Sequence, residues 1–114
     1  MFASHHRLDN LHLIVDNNSI SMLGFTDDIV SHDGLVKRLE AFGWHCVEVD
    51  GHNVLELQEN LIQLKATANG QPKALIARTL KGRGVPGLEN EALSHILTPK
   101  AELIDSLLES ANAR

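Results

Sequence analysis

The chain has 114 residues, of which 43% are hydrophobic and 22% charged, and its formal net charge is -5 at pH 7. This length suits one domain, and the composition is that of a globular protein rather than a disordered chain. The negative charge and the few aromatic rings disfavour nucleic acid as a partner, and the absence of a long apolar run disfavours a membrane span.

The cysteine content and the N-terminus bear on disulfide bonds and on the cellular location. Cys46 is the single cysteine, so an intrachain disulfide is excluded. It stands in an alternating apolar stretch, which predicts a buried and inert thiol. The N-terminus shows no apolar signal segment, and we expect a cytoplasmic protein.

The first half of the chain contains two predicted strands and one helix. Residues 11–16 form a short apolar run that ends at the turn formers of residues 17–19, which predicts a buried strand and a loop. From residue 33 to 42 apolar side chains recur three and four apart, and Gly43 follows, as expected for an amphipathic helix and its end. Apolar and polar side chains alternate along residues 44–50, which predicts a second strand.

The second half repeats this alternation of helix and strand. Residues 54–64 have helical spacing, with Asp50 or Asn53 as the expected cap. Residues 73–77 predict a third strand, and residues 79–98 form a long loop with three glycines and one proline. Such length in a loop predicts a functional role.

A final helix begins at Pro99, because proline is well tolerated in the first turn. Strands that alternate with helices predict βαβ units, so the fold class is α/β with a mostly parallel sheet. Only three strands are predicted, and residues 1–8 have helical spacing without a leading strand. We therefore expect an incomplete three-layer α/β/α domain that starts within a helix and leaves apolar sheet surface uncovered.

An oxygen-rich loop follows the first predicted strand, where the chain reads Asp16-Asn17-Asn18. Loops at the carboxyl ends of parallel strands are common ligand sites in α/β sheets. Carboxylate and amide oxygens suit a hard cation such as Mg²⁺. The alternative interpretation is a turn that is capped by its own asparagine side chains.

A second candidate site lies in the long loop, which begins Lys81-Gly82-Arg83-Gly84. Glycines let backbone amides approach phosphate oxygens, and a lysine supplies a compensating charge. The alternatives are a solvated turn for this segment and an exposed or capping role for His95. The other histidines predict no metal site, and we expect His52 to belong to a strand-to-helix turn.

Taken in order, these segments resemble the transketolase family of thiamine-diphosphate-dependent enzymes. The resemblance covers the chain from about Phe2 to Leu108, and it implies a thiamine-diphosphate-binding-like fold. It rests on several phrases: Arg7-Leu8-Asp9-Asn10-Leu11, Asp16-Asn17-Asn18, Ala41-Phe42-Gly43-Trp44-His45, Val49-Asp50-Gly51-His52, Lys81-Gly82-Arg83-Gly84-Val85, and Leu88-Glu89-Asn90 ahead of His95.

The resemblance implies a role for particular residues. Mg²⁺ would be bound by the Asn18 side chain and by the Ile20 backbone carbonyl, and would bridge the diphosphate of thiamine diphosphate. His95 would lie near the diphosphate and the substrate as the catalytic candidate. The residues implied to bind the cofactor are Asn18, Ile20, Lys81, Gly82 and Gly84.

The sequence also departs from the family pattern. The family's Gly-Asp-Gly segment, which carries another Mg²⁺ ligand, would precede the first residue, and the pyrimidine-binding domain has no counterpart here. Leu23 stands where an aspartate is usual, and Ile96 follows His95 where a glycine is common. Since isoleucine avoids positive φ angles, we expect Ile96 to restrict how His95 is placed.

We therefore expect residues 1–114 to form a single partial diphosphate-binding domain, either a fragment or a split subunit, that is inactive alone. A companion transketolase-like chain would have to complete it, together with thiamine diphosphate and Mg²⁺. The complete enzyme would transfer two-carbon ketol units between sugar phosphates. The alternative is a non-catalytic interaction module that associates with a transketolase-like subunit.

Overall fold

A three-stranded parallel sheet forms the centre of the molecule, in a computed structural model that describes residues 1–96 and 98–112, the side chains of 110–112 excepted. Its strands, in the order β1-β5-β4, are β1 (His12–Asn17), β5 (Lys73–Arg78) and β4 (His45–Asp50). The register is continuous, because β5 pairs along its whole length with both neighbours. The three predicted strands and the parallel α/β class are confirmed.

The longer helices also lie where the periodicity predicts them, except that the last one begins at Ala101 and not at Pro99. They are α3 (Leu35–Ala41), α4 (Val54–Ala66) and α5 (Ala101–Asn112), and the chain begins with the short α1 (Phe2–His5). The cap of α4 is Asn53, whose Oδ1 accepts the Glu56 N–H at 3.2 Å. Of the two predicted caps, the structure therefore selects Asn53.

A small hairpin and a short helix between β1 and α3 were not predicted. They comprise β2 (Ile20–Ser21), β3 (Gly24–Phe25) and α2 (Thr26–Ile29), with β2 and β3 paired antiparallel. Strands of two residues are too short to show an alternating pattern, so the sequence carried no periodic signal for them.

The core lies between α4 and the β4–β5 half of the sheet. Val49, Leu64, Leu75 and Ala77 are buried together, and three partly buried residues pack against them: Val47, Leu57 and Leu61. This cover does not reach β1, none of whose residues is buried. The strand predicted at residues 11–16 is therefore present, but the prediction that it is buried is wrong, because α4 packs only on β4 and β5. The radius of gyration is 17.9 Å, against about 13 Å for a compact domain of this length.

Large apolar side chains are consequently exposed along β1 and on the outer side of α4. Ile14 is 60% exposed, and Val54, Leu55 and Ile62 are exposed on α4. The expectation of an uncovered apolar surface is confirmed. Within the described ranges, no helix has the length and apolar character needed to cross a bilayer.

Candidate functional site

The candidate site lies at the carboxyl edge of the sheet. Because all three strands are parallel, they end side by side at Asn17, Arg78 and Asp50. The loops that carry the predicted site residues leave from this edge. Loops of this kind are the usual ligand-binding elements of open α/β sheets.

The Asn18 loop turns sharply after β1 and aligns two oxygen-bearing groups. Ser19 has a positive φ of 60°, and the Ile20 N–H donates to Asn18 Oδ1 at 3.0 Å. Thr26 N–H bonds to the Ser19 carbonyl at 2.9 Å, and Ile20 pairs with Phe25. Since hydrogen-bonded and non-hydrogen-bonded pairs alternate in an antiparallel ladder, the main-chain groups of Ile20 point away from β3.

The Ile20 N–H and C=O therefore face the side on which the Asn18 amide lies. The Asn18 side chain caps its own turn, as the simpler interpretation of this segment holds. That bond uses one lone pair of Oδ1, and the second stays available to a cation. The two interpretations of Asn18 are compatible.

These two oxygens fit part of a magnesium site and not a whole one. Among the described residues, no group of three or more His, Cys, Asp or Glu side chains could hold a metal ion. Mg²⁺ commonly takes only one or two protein side chains and completes its six ligands with phosphate oxygens and water. Asn18 and the Ile20 carbonyl are therefore suited to a Mg²⁺ that arrives with a diphosphate.

Thr79 connects the Asn18 loop to the long loop after β5. Its N–H donates to the Asn17 carbonyl at 3.3 Å, and its hydroxyl donates to the Asp16 carboxylate. This residue was not singled out from the sequence. Its only signal was its place as the first residue of the predicted long loop.

Lys81 and His95, both predicted site residues, are brought together within the long loop. Lys81 Nζ lies 3.1 Å from the Ala92 carbonyl and 3.4 Å from His95 Nδ1. His95 Nδ1 is also 3.3 Å from the same carbonyl. If Nδ1 accepts from Lys81, the imidazole proton is on Nε2. If Nδ1 instead donates to the Ala92 carbonyl, it carries the proton itself and cannot accept from Lys81.

The two glycines of this loop that the sequence singled out, Gly82 and Gly84, are under different steric constraints. Gly82 has φ +74°, and a Cβ there would come within 2.3 Å of the Leu88 carbonyl oxygen, so only glycine fits. Gly84 has φ +87° but open space around it. Its N–H donates to the Glu89 carboxylate at 2.7 Å, which shows that this amide receives an anionic oxygen.

His52 holds the base of the long loop. Its Nε2 accepts the Leu80 N–H at 2.7 Å, and its own N–H donates to Asp50 Oδ1 at 2.9 Å. The proton of the neutral ring is therefore on Nδ1. The prediction that His52 belongs to a strand-to-helix turn is confirmed.

The predicted residues form two separate pairs at one sheet edge. Asn18 lies beside Ile20, and Lys81 beside His95, and among the residues that the structure describes no hydrogen bond joins these pairs. Leu23 is at the tip of the β2–β3 hairpin, 85% exposed. Ile96 is exposed and does not adopt a positive φ.

Comparison with known proteins gives consistent matches. The profile of the family described as transketolase, thiamine diphosphate binding domain, matches residues 1–110. The chain is 36% identical over 107 residues to one subunit of the apulose-4-phosphate transketolase of Actinobacillus succinogenes, covering 94% of this chain. It is 45% identical over 97 residues to the transketolase of Homo sapiens, covering 82% of this chain.

Solved structures agree with these sequence matches. The transketolase of Campylobacter jejuni superposes with a TM-score of 0.84 at 32% identity, over 97% of this chain and 17% of that one. The chain spans 38% of the Actinobacillus protein and 14% of the human transketolase. It is thus similar to one segment of each relative.

Proposed function

The chain belongs to the transketolase family, and on that premise we propose that it supplies part of the site for the diphosphate of thiamine diphosphate and its Mg²⁺. The observation that carries this proposal is the meeting of the Asn18 and Lys81 loops at one sheet edge, tied together through Thr79. One loop offers neutral oxygens for a cation. The other offers a cation and backbone amides for an anion.

Each predicted residue receives a role in this proposal. Asn18 Oδ1 and the Ile20 carbonyl would bind Mg²⁺ beside the diphosphate. Lys81 would face the diphosphate oxygens, and Gly82 would hold the turn that presents it. The Gly84 N–H would exchange the Glu89 carboxylate for a phosphate oxygen. When bound, thiamine diphosphate supplies the carbanion chemistry of ketol transfer.

His95 is the candidate catalytic residue, next to the substrate. Its Nδ1 contacts Lys81 Nζ and the Ala92 carbonyl, and the residue is exposed. If Lys81 donates to Nδ1, the ring proton is on Nε2, which can then donate to a sugar-phosphate oxygen. His95 would then orient the substrate and move a proton only at Nε2.

We further propose that a companion transketolase-family chain completes the site and that this chain is inactive alone. Asn18 and the Ile20 carbonyl would supply two of the six oxygen ligands of Mg²⁺, so the other four would come from the diphosphate, from water or from the companion chain. Relatives named as subunits support a divided enzyme: besides the apulose-4-phosphate protein, a 6-deoxy-6-sulfo-D-fructose transketolase subunit from a Clostridium species is 37% identical over 95 residues. Ketol transfer between sugar phosphates is the proposed reaction of the complete assembly.

Calorimetric titration with thiamine diphosphate and Mg²⁺ tests the proposal. We expect no measurable binding by the chain alone and saturable binding once a companion transketolase-family chain is added. Asn18→Ala should abolish that binding, whereas Asn10→Ala, the same change at the amino edge of the sheet, should leave it intact. Micromolar binding by the isolated chain would refute the need for a companion.

A second candidate function is a non-catalytic module that binds a transketolase-like subunit. The exposed Val54, Leu55 and Ile62 on α4 favour it, because apolar surface of this kind marks protein contacts. The same mixture discriminates the two. Association with the companion chain without any binding of thiamine diphosphate would support the module and exclude the cofactor site.

A further inference from the structure

A histidine side chain continues the hydrogen-bond ladder between β4 and β5 past the last residue of β4. Gly51 N–H donates to the Arg78 carbonyl at 2.7 Å, so the main-chain groups of Arg78 face β4. Alternate residues of a strand face the same neighbour, and the Leu80 N–H therefore points to that side too. The main chain has turned away from β5 by then, and His52 Nε2 accepts the Leu80 N–H at 2.7 Å instead.

The turn that carries His52 is closed by its own hydrogen bonds. Asn53 N–H donates to the Asp50 carbonyl at 3.0 Å, and His52 N–H donates to Asp50 Oδ1 at 2.9 Å. An aspartate side chain that bonds the backbone two residues ahead is a common way to fix a turn. The backbone of His52 is thus fixed independently of the bond that its ring accepts.

Gly51 brings this turn close to the start of the long loop. A Cβ at this position would lie 2.4 Å from Thr79 Cγ2 and 2.9 Å from the Arg78 carbonyl oxygen, so no larger residue fits without displacement. Glycine therefore permits the close approach that lets the neighbouring imidazole reach the Leu80 N–H. The steric fit at Gly51 and the hydrogen bond of His52 are two independent observations that the turn supports this loop.

The chain at Thr79 and Leu80 is held from both sides. Thr79 N–H donates to the Asn17 carbonyl of β1 at 3.3 Å, and Leu80 N–H donates to His52 on the side of β4. Because Lys81 comes next, the conformation at these two residues sets the direction in which the loop leaves the sheet. Loss of the His52 acceptor would deprive the half-buried Leu80 of this bond and loosen one of the two attachments.

We propose that His52 is a positioning residue of the cofactor site, which acts through the Leu80 N–H to direct Lys81 towards the diphosphate. This inference rests on the proposed function, because it takes the diphosphate as the target of Lys81. The ring acts as a neutral hydrogen-bond acceptor and does not itself contact the cofactor. Without that acceptor the loop gains conformational freedom, which cofactor binding must then remove at a cost in affinity.

Two substitutions separate the acceptor of His52 from the space that its ring fills. His52→Gln keeps an acceptor, because glutamine Oε1 lies at the same number of bonds from Cα as His52 Nε2. His52→Leu fills similar space without an acceptor. His45→Leu, at the amino end of β4, is the matched control.

Calorimetric titration of the chain mixed with a companion transketolase-family chain measures the effect on cofactor binding. With thiamine diphosphate and Mg²⁺ as the ligands, we expect the dissociation constant to rise about tenfold in His52→Leu. It should rise less than about twofold in His52→Gln and in His45→Leu. Rescue by glutamine distinguishes the acceptor from a general role of this side chain in packing.

Hydrogen exchange of the Leu80 amide in the chain alone tests the bond without any cofactor. We expect this amide to exchange about tenfold faster in His52→Leu than in the unsubstituted chain, and about as slowly as before in His52→Gln. The Ile76 amide, within β5, should exchange at the same rate in all three. Circular dichroism establishes that each variant is folded.

The affinity of the unsubstituted mixture is the reference for both proposals. If that mixture binds the cofactor, unchanged affinity in His52→Leu, or an equal loss in His52→Gln and His52→Leu, would overturn the positioning role alone. Unchanged exchange of the Leu80 amide in His52→Leu would overturn it as well. An unsubstituted mixture that binds no thiamine diphosphate would contradict the proposed function, and this inference would fall with it.

Discussion

Strands β1 and β5 lie side by side in one sheet, with the same length and the same register, yet they differ completely in burial. Five of the six residues of β5 are buried, whereas none of the six in β1 is. Both contain apolar runs, Leu-Ile-Val in β1 and Ala-Leu-Ile-Ala in β5. The difference is position, because β5 has a neighbour on each side and β1 has one.

This contrast extends to the two loops of the candidate site. The Lys81 loop continues from the buried strand and is held further by His52. The Asn18 loop continues from the exposed strand and depends on Thr79 and on its own hairpin. We therefore infer that the Lys81 loop, on the anion-binding side, is the more firmly held. The Asn18 loop, on the cation-binding side, would be stabilised more by contacts from another chain.

The largest expected effect comes from removing the same side chain in each strand. Ile76 is fully buried in β5, and its truncation to alanine should reduce the free energy of unfolding by about 3 kcal/mol. Ile14→Ala in β1 should cost less than about 1 kcal/mol, because that side chain is mostly exposed. Urea unfolding at low protein concentration measures both, and equal losses would contradict the contrast.

The next largest expected loss of stability distinguishes the two cations at the ends of β5, Lys73 and Arg78. Lys73 is fully buried, and its Nζ donates to the Gln71 carbonyl, Asn69 Oδ1 and the Asp9 carbonyl at 2.6, 2.9 and 3.2 Å. Lys73→Met keeps the length of the side chain but leaves these oxygens without a donor. We expect a loss of about 2 kcal/mol in the free energy of unfolding.

The matched control for Lys73 is the cation at the other end of the strand. Arg78 forms an exposed ion pair with Glu48 at 3.4 Å. Exposed pairs of this kind contribute about 0.5 kcal/mol, so Arg78→Met should change stability little. If the two methionine variants unfold at the same urea concentration, the ammonium group of Lys73 does not stabilise the fold.

The parts of the fold that could be predicted from the sequence are those set by local pattern. Apolar spacing and the end signal at Gly43 predicted α3, and the turn formers after residue 16 predicted the end of β1. The burial of each strand could not be read in this way, since the exposed β1 and the buried β5 are both apolar. The β2–β3 hairpin was missed because two residues show no period.

Of the candidate site, the sequence predicted individual residues but not the contacts between them. Lys81 and His95 stand fourteen positions apart, and only the closed loop brings Nζ within 3.4 Å of the ring. The link from Thr79 to Asp16 depends on the pairing of β1 with β5, which no local pattern specifies. Long-range contacts of this kind follow from topology rather than from sequence spacing.

The smallest expected effect concerns β4, the other edge strand, which α3 and α4 partly cover. Burial raises the pKa of the Cys46 thiol, and the Glu40 carboxylate raises it further. Because the folded state favours the neutral thiol, titration of Cys46 does not change the free energy of unfolding at lower pH. That free energy falls as the pH rises above the ordinary value of 9.0, where the unfolded chain loses the thiol proton more readily.

Glu40→Gln removes the weaker of these two causes and should lower the pKa of Cys46 slightly. At pH 8 the alkylation rate with iodoacetamide should then rise about twofold, since the thiolate is the reacting form. Glu59→Gln on α4 is the control and should leave the rate unchanged. A larger rise would mean that the charge of Glu40 rather than burial is the main cause of the raised pKa of Cys46.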